Sequence, residues 1–121
     1  MTRVAHATRF LTAARAGDVT TARALCTVDA KHHNQYFPAG MAVLIDAIAA
    51  ASVEKPDSTF TVKRVVADGD VVVLHSHVVH SPGEPGYTVF HMFRFEDDRI
   101  AELWDVGQMI SADSPNADGA F

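Results

Sequence analysis

From Thr2 to Ala16 the apolar residues Val4, Ala7, Phe10, Leu11 and Ala14 recur at three- and four-residue intervals. That spacing predicts an amphipathic helix with Thr2 as its N-cap. Gly17 ends it, and Asp18 is placed to cap a short second helix through Ala22 and Leu25. Asp29 to Gly40 keeps neither period and reads as irregular, with Pro38 and Gly40 as breakers. The stripe Met41, Leu44, Ile45, Ile48 and Ala49 predicts a third helix from about Met41 to Ser52, and Pro56 closes the helical half. Beyond it the period falls to two. Thr59 to Val66 and Val71 to His80 flank Ala67-Asp68-Gly69-Asp70, a hairpin signal. Tyr87 to Phe95 and Ile100 to Gln108 flank Glu96-Asp97-Asp98-Arg99, a second one, and the turn-rich Ser81 to Gly86 joins the two hairpins.

Three helices followed by an antiparallel meander of about four strands is an α+β layout. The sheet must curl over the helices to bury its inner face. The pattern supports one domain over residues 1–110, and the polar segment from Ser111 to Phe121 reads as a mobile tail. With 121 residues, the chain is long enough to bury a core without staples. A net charge of −5 with scattered Lys and Arg argues against nucleic acid or an anionic membrane surface as partner. The longest apolar run, Met41 to Val53, contains Asp46 and is too short to span a bilayer. Arg3, Arg9 and Arg15 interrupt any signal-peptide core, and the lone Cys26 has no internal partner. The chain reads as soluble and cytoplasmic.

Polar residues that alternate onto the covered face of the sheet are the informative ones. On the last strand Ala101, Leu103, Asp105 and Gly107 share one face. A carboxylate at Asp105 would lose hydration there and hold a proton more tightly, as a general acid or base requires. A three-residue turn over Glu96-Asp97-Asp98, with Asp98 left-handed, pairs Phe95 with Arg99 and sets His91 opposite Leu103, one diagonal step from Asp105. A two-residue turn would instead set His91 opposite Trp104. His91 or His33 is expected within hydrogen-bond reach of Asp105, directly or through one water. A buried Asp bonded only to backbone or Tyr is the plainer alternative.

His75 and His77 share one face of a strand, a spacing compatible with a metal site if His33 or His91 supplied a third ligand; otherwise they line a pocket. His32 reads as solvent-facing beside His33. Tyr36 and Phe37 fall near the helix–sheet mouth, and Met41, Ile45, Phe90 and Leu103 are candidates for an apolar pocket wall or plain core. Gly-rich phosphate loops, nucleophile elbows and Cys-x-x-Cys are absent, which disfavours nucleotide chemistry and Ser or Cys hydrolysis.

Several strings taken in order resemble the SnoaL-like polyketide cyclase family of the nuclear transport factor 2-like superfamily. They are Val65-Val66-Ala67-Asp68-Gly69-Asp70-Val71-Val72, His75-Ser76-His77, Phe93-Arg94-Phe95-Glu96-Asp97 and Ile100-Ala101-Glu102-Leu103-Trp104-Asp105-Val106. His33-Asn34 resembles the His-Asn that follows the family's second helix. The resemblance covers residues 2–109. It implies a cone-shaped α+β barrel with a deep, mostly apolar pocket, commonly a homodimer. It also implies aldol ring closure without metal or organic cofactor, with Asp105 as acid/base, His91 nearby and Asn34 at the pocket. The chain departs from many relatives at Leu103 (His there), His91 (Asp there) and Gln35 (Pro there). Three functions follow as alternatives: a cofactor-independent enzyme acting on a small apolar carbonyl compound through Asp105 and His91, a non-catalytic binder using the same pocket, and a metal enzyme built on His75 and His77. The homodimer is expected through the sheet's outer face, because strands rich in Val and Phe leave apolar side chains that one layer of helices cannot cover.

Overall fold

The computed structural model describes residues 1–121. Helix α1 (Arg3–Arg15) starts at the Thr2 side chain, which accepts a hydrogen bond from the Ala5 N–H, and α2 (Val19–Ala24) starts at Asp18, which accepts from Thr21 N–H. Strand β1 (Cys26–His32) comes next, then α3 (Met41–Glu54) and four further strands: β2 (Thr59–Asp68), β3 (Val71–Val79), β4 (Tyr87–Glu96) and β5 (Arg99–Met109). The sheet order is β1-β5-β4-β3-β2. It is a curled sheet that does not close, with the three helices packed on its concave face.

The fifth strand corrects the sequence reading, which treated Asp29 to Gly40 as wholly irregular. β1 pairs in parallel with β5 at one edge, and its register shifts between Cys26 and Lys31. As an edge strand with one neighbour, it buries only Cys26, Ala30 and His32. That leaves Val28, Asp29 and Lys31 exposed, and the period-two signal is diluted accordingly. His32 is also corrected. It is buried, its Nε2 lies 2.8 Å from Pro38 O, and its Nδ1 accepts the Asn34 N–H at 3.1 Å. The imidazole therefore pins the chain between β1 and α3.

The core lies between the helices and the inner rows of β3, β4 and β5. Phe10 and Phe93, both fully buried, meet edge to face at 5.8 Å, with Leu44, Ile45, Leu74 and Leu103 around them. Residues 111–121, expected as a mobile tail, hold no helix or strand. Phe121 at their end packs against the outer face of the sheet, 5.3 Å from His75 and 4.8 Å from His77 between ring centroids.

The β4–β5 hairpin sets the geometry of the site. Its turn is the two-residue one, Asp97-Asp98, with Glu96 opposite Arg99 and Asp97 rather than Asp98 at positive φ (53°). That turn alone would put His91 opposite Trp104. The register shifts by one residue between Arg94 and Phe95, however, so Phe95 faces Ile100 while Arg94 faces Glu102. Ile100 and Ala101 are buried in succession, as a bulge allows. The result is His91 directly opposite Asp105.

Candidate functional site

Inner-face alternation on β4 points Tyr87, Val89 and His91 to the concave side, and on β5 it points Asp105 and Gly107 the same way. Together with Leu11 and Arg15 of α1, Leu44 and Ile48 of α3, Phe60 of β2 and the loop from His33 to Phe37, they line a cavity of about 710 Å³. A volume of this order suits a small organic ligand. The wall is mostly apolar, and its charged groups are few. Arg15 is the only Lys or Arg in the lining and Asp105 the only carboxylate.

The loop after β1 brings Asn34 to the carboxylate. Asn34 Nδ2 donates to Asp105 Oδ2 at 3.0 Å, while Asn34 Oδ1 accepts the Tyr36 N–H at 3.0 Å and so fixes the turn that carries it. Asp105 Oδ1 is buried and has no protein partner. The same holds for His91 Nδ1, on the residue directly opposite. Residues paired this way have Cβ atoms roughly 4.5–5.5 Å apart. Burial pushes the His91 pKa down to about 4. The Asp105 charge works against that fall and the Arg15 charge adds to it. At neutral pH His91 is therefore an uncharged imidazole.

No direct hydrogen bond joins Asp105 to His91 or His33, although His91 stands directly opposite it; the side-chain donor to the carboxylate is Asn34. His33 stands at the rim, stacked on Trp104 at 5.0 Å, with Nε2 2.5 Å from Glu102 Oε2. That bond, followed by the one from Arg94 Nε, lowers the pKa of Glu102. Tyr36 and Phe37 are exposed rim residues. Leu103 is core, 1% exposed, and does not reach the cavity. Met41 and Ile45 line a separate cavity of about 770 Å³ between α2, β1 and α3.

His75, His77 and Phe90 lie on the opposite, outer face. His75 Nε2 is 2.7 Å from Thr88 Oγ1, and its Nδ1 faces Arg64 Nη1 at 3.0 Å. A guanidinium only donates, so Nδ1 accepts and Nε2–H donates to Thr88. Phe90 stacks on the ring at 4.1 Å. Burial and then the Arg64 charge lower the His75 pKa. The metal reading needed these histidines to join His33 or His91. The sheet separates them from His91, and no three His, Cys, Asp or Glu are grouped to hold a metal ion. Arg15 and Phe60 were missed as cavity residues. One signal was available for the first: Arg15 follows Leu11 by four residues and so continues the apolar stripe of α1 into the sheet.

Asn34→Ala removes the donor to Asp105 and the acceptor for Tyr36 N–H together. We expect a loss of about 2 kcal/mol, read from urea unfolding at neutral pH.

Residues 7–103 match the profile of the SnoaL-like domain family. No protein of curated function matches the chain in sequence. Among solved structures, a loop-truncation variant of IdmH is similar at 25% identity and a TM-score of 0.73, over 88% of this chain and 93% of that one. Wild-type IdmH of Streptomyces antibioticus, a provisionally assigned polyketide cyclase, gives 23%, 0.70, 89% and 93% for the same measures. An uncharacterised cystatin-fold protein of Novosphingobium aromaticivorans gives 23%, 0.71, 88% and 98%. At these identities the structural likeness bears on the fold.

Proposed function

We propose a function from one premise, that the chain belongs to the SnoaL-like domain family. The protein is a cofactor-independent enzyme that moves a proton on a small, largely apolar carbonyl compound, in an aldol-type ring closure or an isomerisation. Asp105 takes the proton from carbon next to the carbonyl. His91, uncharged, donates a hydrogen bond to the oxygen on which the enolate charge develops. In ring closure the enolate carbon then bonds to a second carbonyl carbon of the same molecule, and the new alkoxide receives a proton. In isomerisation the proton returns at a different carbon.

The observation that carries this reading is the pair of unpartnered buried atoms, Asp105 Oδ1 and His91 Nδ1, on directly opposed residues of an apolar cavity. Buried polar atoms ordinarily find partners. Two on directly opposed residues that line a ligand-sized space are what a bound carbonyl compound would satisfy. A non-catalytic binder would use the same cavity. The test that separates the two is proton exchange at carbon: a panel of cyclic ketones and diketones in D₂O with the purified protein, followed by NMR. Exchange above the buffer rate supports the enzyme, and binding without exchange supports the binder.

The same reading includes a homodimer. Trp104, Met92, Val73 and Val66 form one cross-strand row of the outer face, and Val106 and Phe90 begin the next. Val66, Phe90 and Val106 are 63%, 49% and 72% exposed, an apolar surface that a second copy would cover. Sedimentation at micromolar concentration should give twice 13.1 kDa, and a monomer would remove the dimer.

A further inference from the structure

The cavity lining carries one carboxylate, Asp105, and one guanidinium, Arg15, and only the first has work in the proton transfer. Asp105 sits on β5, and His91 next to it on β4. The Phe60 ring on β2 meets the His91 ring edge-on at 6.3 Å, and the Arg15 guanidinium lies over Phe60, 5.4 Å from its centroid. Carboxylate, imidazole, phenyl and guanidinium thus follow one another across the concave face. Arg15 Nη2 donates to Ser58 Oγ at 3.0 Å, the single hydrogen bond of a group with five N–H donors, and it forms no ion pair. It is half-buried, and loss of hydration lowers its pKa from the usual arginine value. A smaller polar cavity of about 260 Å³ shares Arg15 and Phe60 with the main one and adds Lys55, Thr12, Ser52 and Ser58.

A half-buried, unpaired cation is costly in the empty protein and offers free donors to whatever enters. We propose that Arg15 is the anchor for a carboxylate on the ligand, so that the compound taken by this cavity is an apolar carbonyl acid whose carboxylate sits at the Phe60 end and whose reacting carbon lies at Asp105. The guanidinium fork matches a planar carboxylate, and its stacking on Phe60 presets its orientation. The like charge of Asp105 favours this direction of binding and opposes the reverse. The inference rests on the proposed chemistry only for which end of the ligand reacts, because the anchor itself is a matter of binding.

Isothermal titration calorimetry with 2-naphthoate and its near-isostere 2-naphthamide tests it at neutral pH and low salt. The wild-type protein should bind the acid about 10- to 100-fold more tightly than the amide, the scale of a charge-assisted hydrogen-bonded contact. Arg15→Met should abolish that preference, the acid losing far more affinity than the amide, and retained amide binding shows that the cavity is intact. Arg15→Gln, which keeps a donor for Ser58, should lose the preference too and stands in if the Met variant does not fold. Equal affinities in the wild type, a preference surviving both substitutions, or no binding of either probe overturns the anchor. An intact acid preference without any ketone exchange leaves Arg15 as anchor and removes the catalytic reading; exchange without an acid preference does the converse.

Discussion

Asp105→Asn should abolish ketone proton exchange while leaving the fold in place. A positioned base contributes about 10²- to 10⁴-fold, and the amide cannot accept the proton at all. The asparagine keeps nearly the same volume, and its carbonyl oxygen can still accept the Asn34 Nδ2–H now held by Asp105 Oδ2 at 3.0 Å. What disappears is a charge on a partly buried group with one oxygen, Oδ1, that no protein atom satisfies. Removing an ill-compensated charge costs little and can stabilise, so unfolding free energy should change by no more than about 1 kcal/mol in either direction. The two readouts decide between roles when taken on the same sample. Exchange lost with stability kept marks a catalytic carboxylate. A loss of several kcal/mol, on the scale of a broken buried network, marks a structural one, and the proton-transfer role would then be dropped. Asn34→Ala is the complement: it keeps the base but frees its orientation, so it should weaken exchange less than Asp105→Asn does while costing more stability.

The position of Asp105 was legible because it follows from alternation alone. A strand whose Leu103 must be buried puts Asp105 on the same side, whatever the partner strand does. The helices were legible for the same kind of reason, since Thr2 and Asp18 cap them in the structure as the sequence suggested. Register was not. It depends on a turn and a bulge whose effects are each one residue and which act in series. Reading the turn as three residues set His91 opposite Leu103, and reading it as two set His91 opposite Trp104. Only the additional bulge at Ile100-Ala101 sets it opposite Asp105. Nothing in Glu102-Leu103-Trp104-Asp105 announces that extra residue. β1 was hidden for a different reason. It is an edge strand interrupted by Asp29 and Lys31, and its identity comes from backbone pairing with β5, through bonds such as His33 N–H to Leu103 O at 2.9 Å. The outer-face location of His75 and His77 needed only the face of β3 to be known. Ser76 between them is fully buried, so its neighbours must point away from the core. Arg15 escaped notice because a charge on a helix is ordinarily solvated. Its meaning depends on Phe60 arriving from β2, some 45 residues further along the chain.

His91 should make the protein acid-sensitive in a defined window. Its folded pKa is about 4, held down first by burial, with Asp105 pulling upward and Arg15 downward. In the unfolded chain a histidine titrates near 6.5. Between those values the unfolded state takes up a proton that the folded state refuses, so stability falls as the pH drops from about 6.5 toward 4 and is fully present above 6.5. The contribution can reach about 3 kcal/mol, a large share of the stability of a domain this size. His75, whose pKa burial and Arg64 also lower, acts in the same direction from the outer face, so the wild-type curve alone does not isolate His91. The buried Cys26 thiol, pushed up to about 12, acts at the other end: the unfolded thiol ionises first as the pH rises past about 8.5, and stability declines there. Urea unfolding at steps between pH 7 and pH 4.5 should therefore show a steeper fall for the wild type than for His91→Gln, which keeps a polar group in the cavity but cannot titrate. The gap between the two slopes belongs to His91. Parallel curves would mean that the imidazole is charged or solvated in the folded protein. The uncharged donor assigned to it in the proton transfer would then have to be replaced by an imidazolium paired with Asp105.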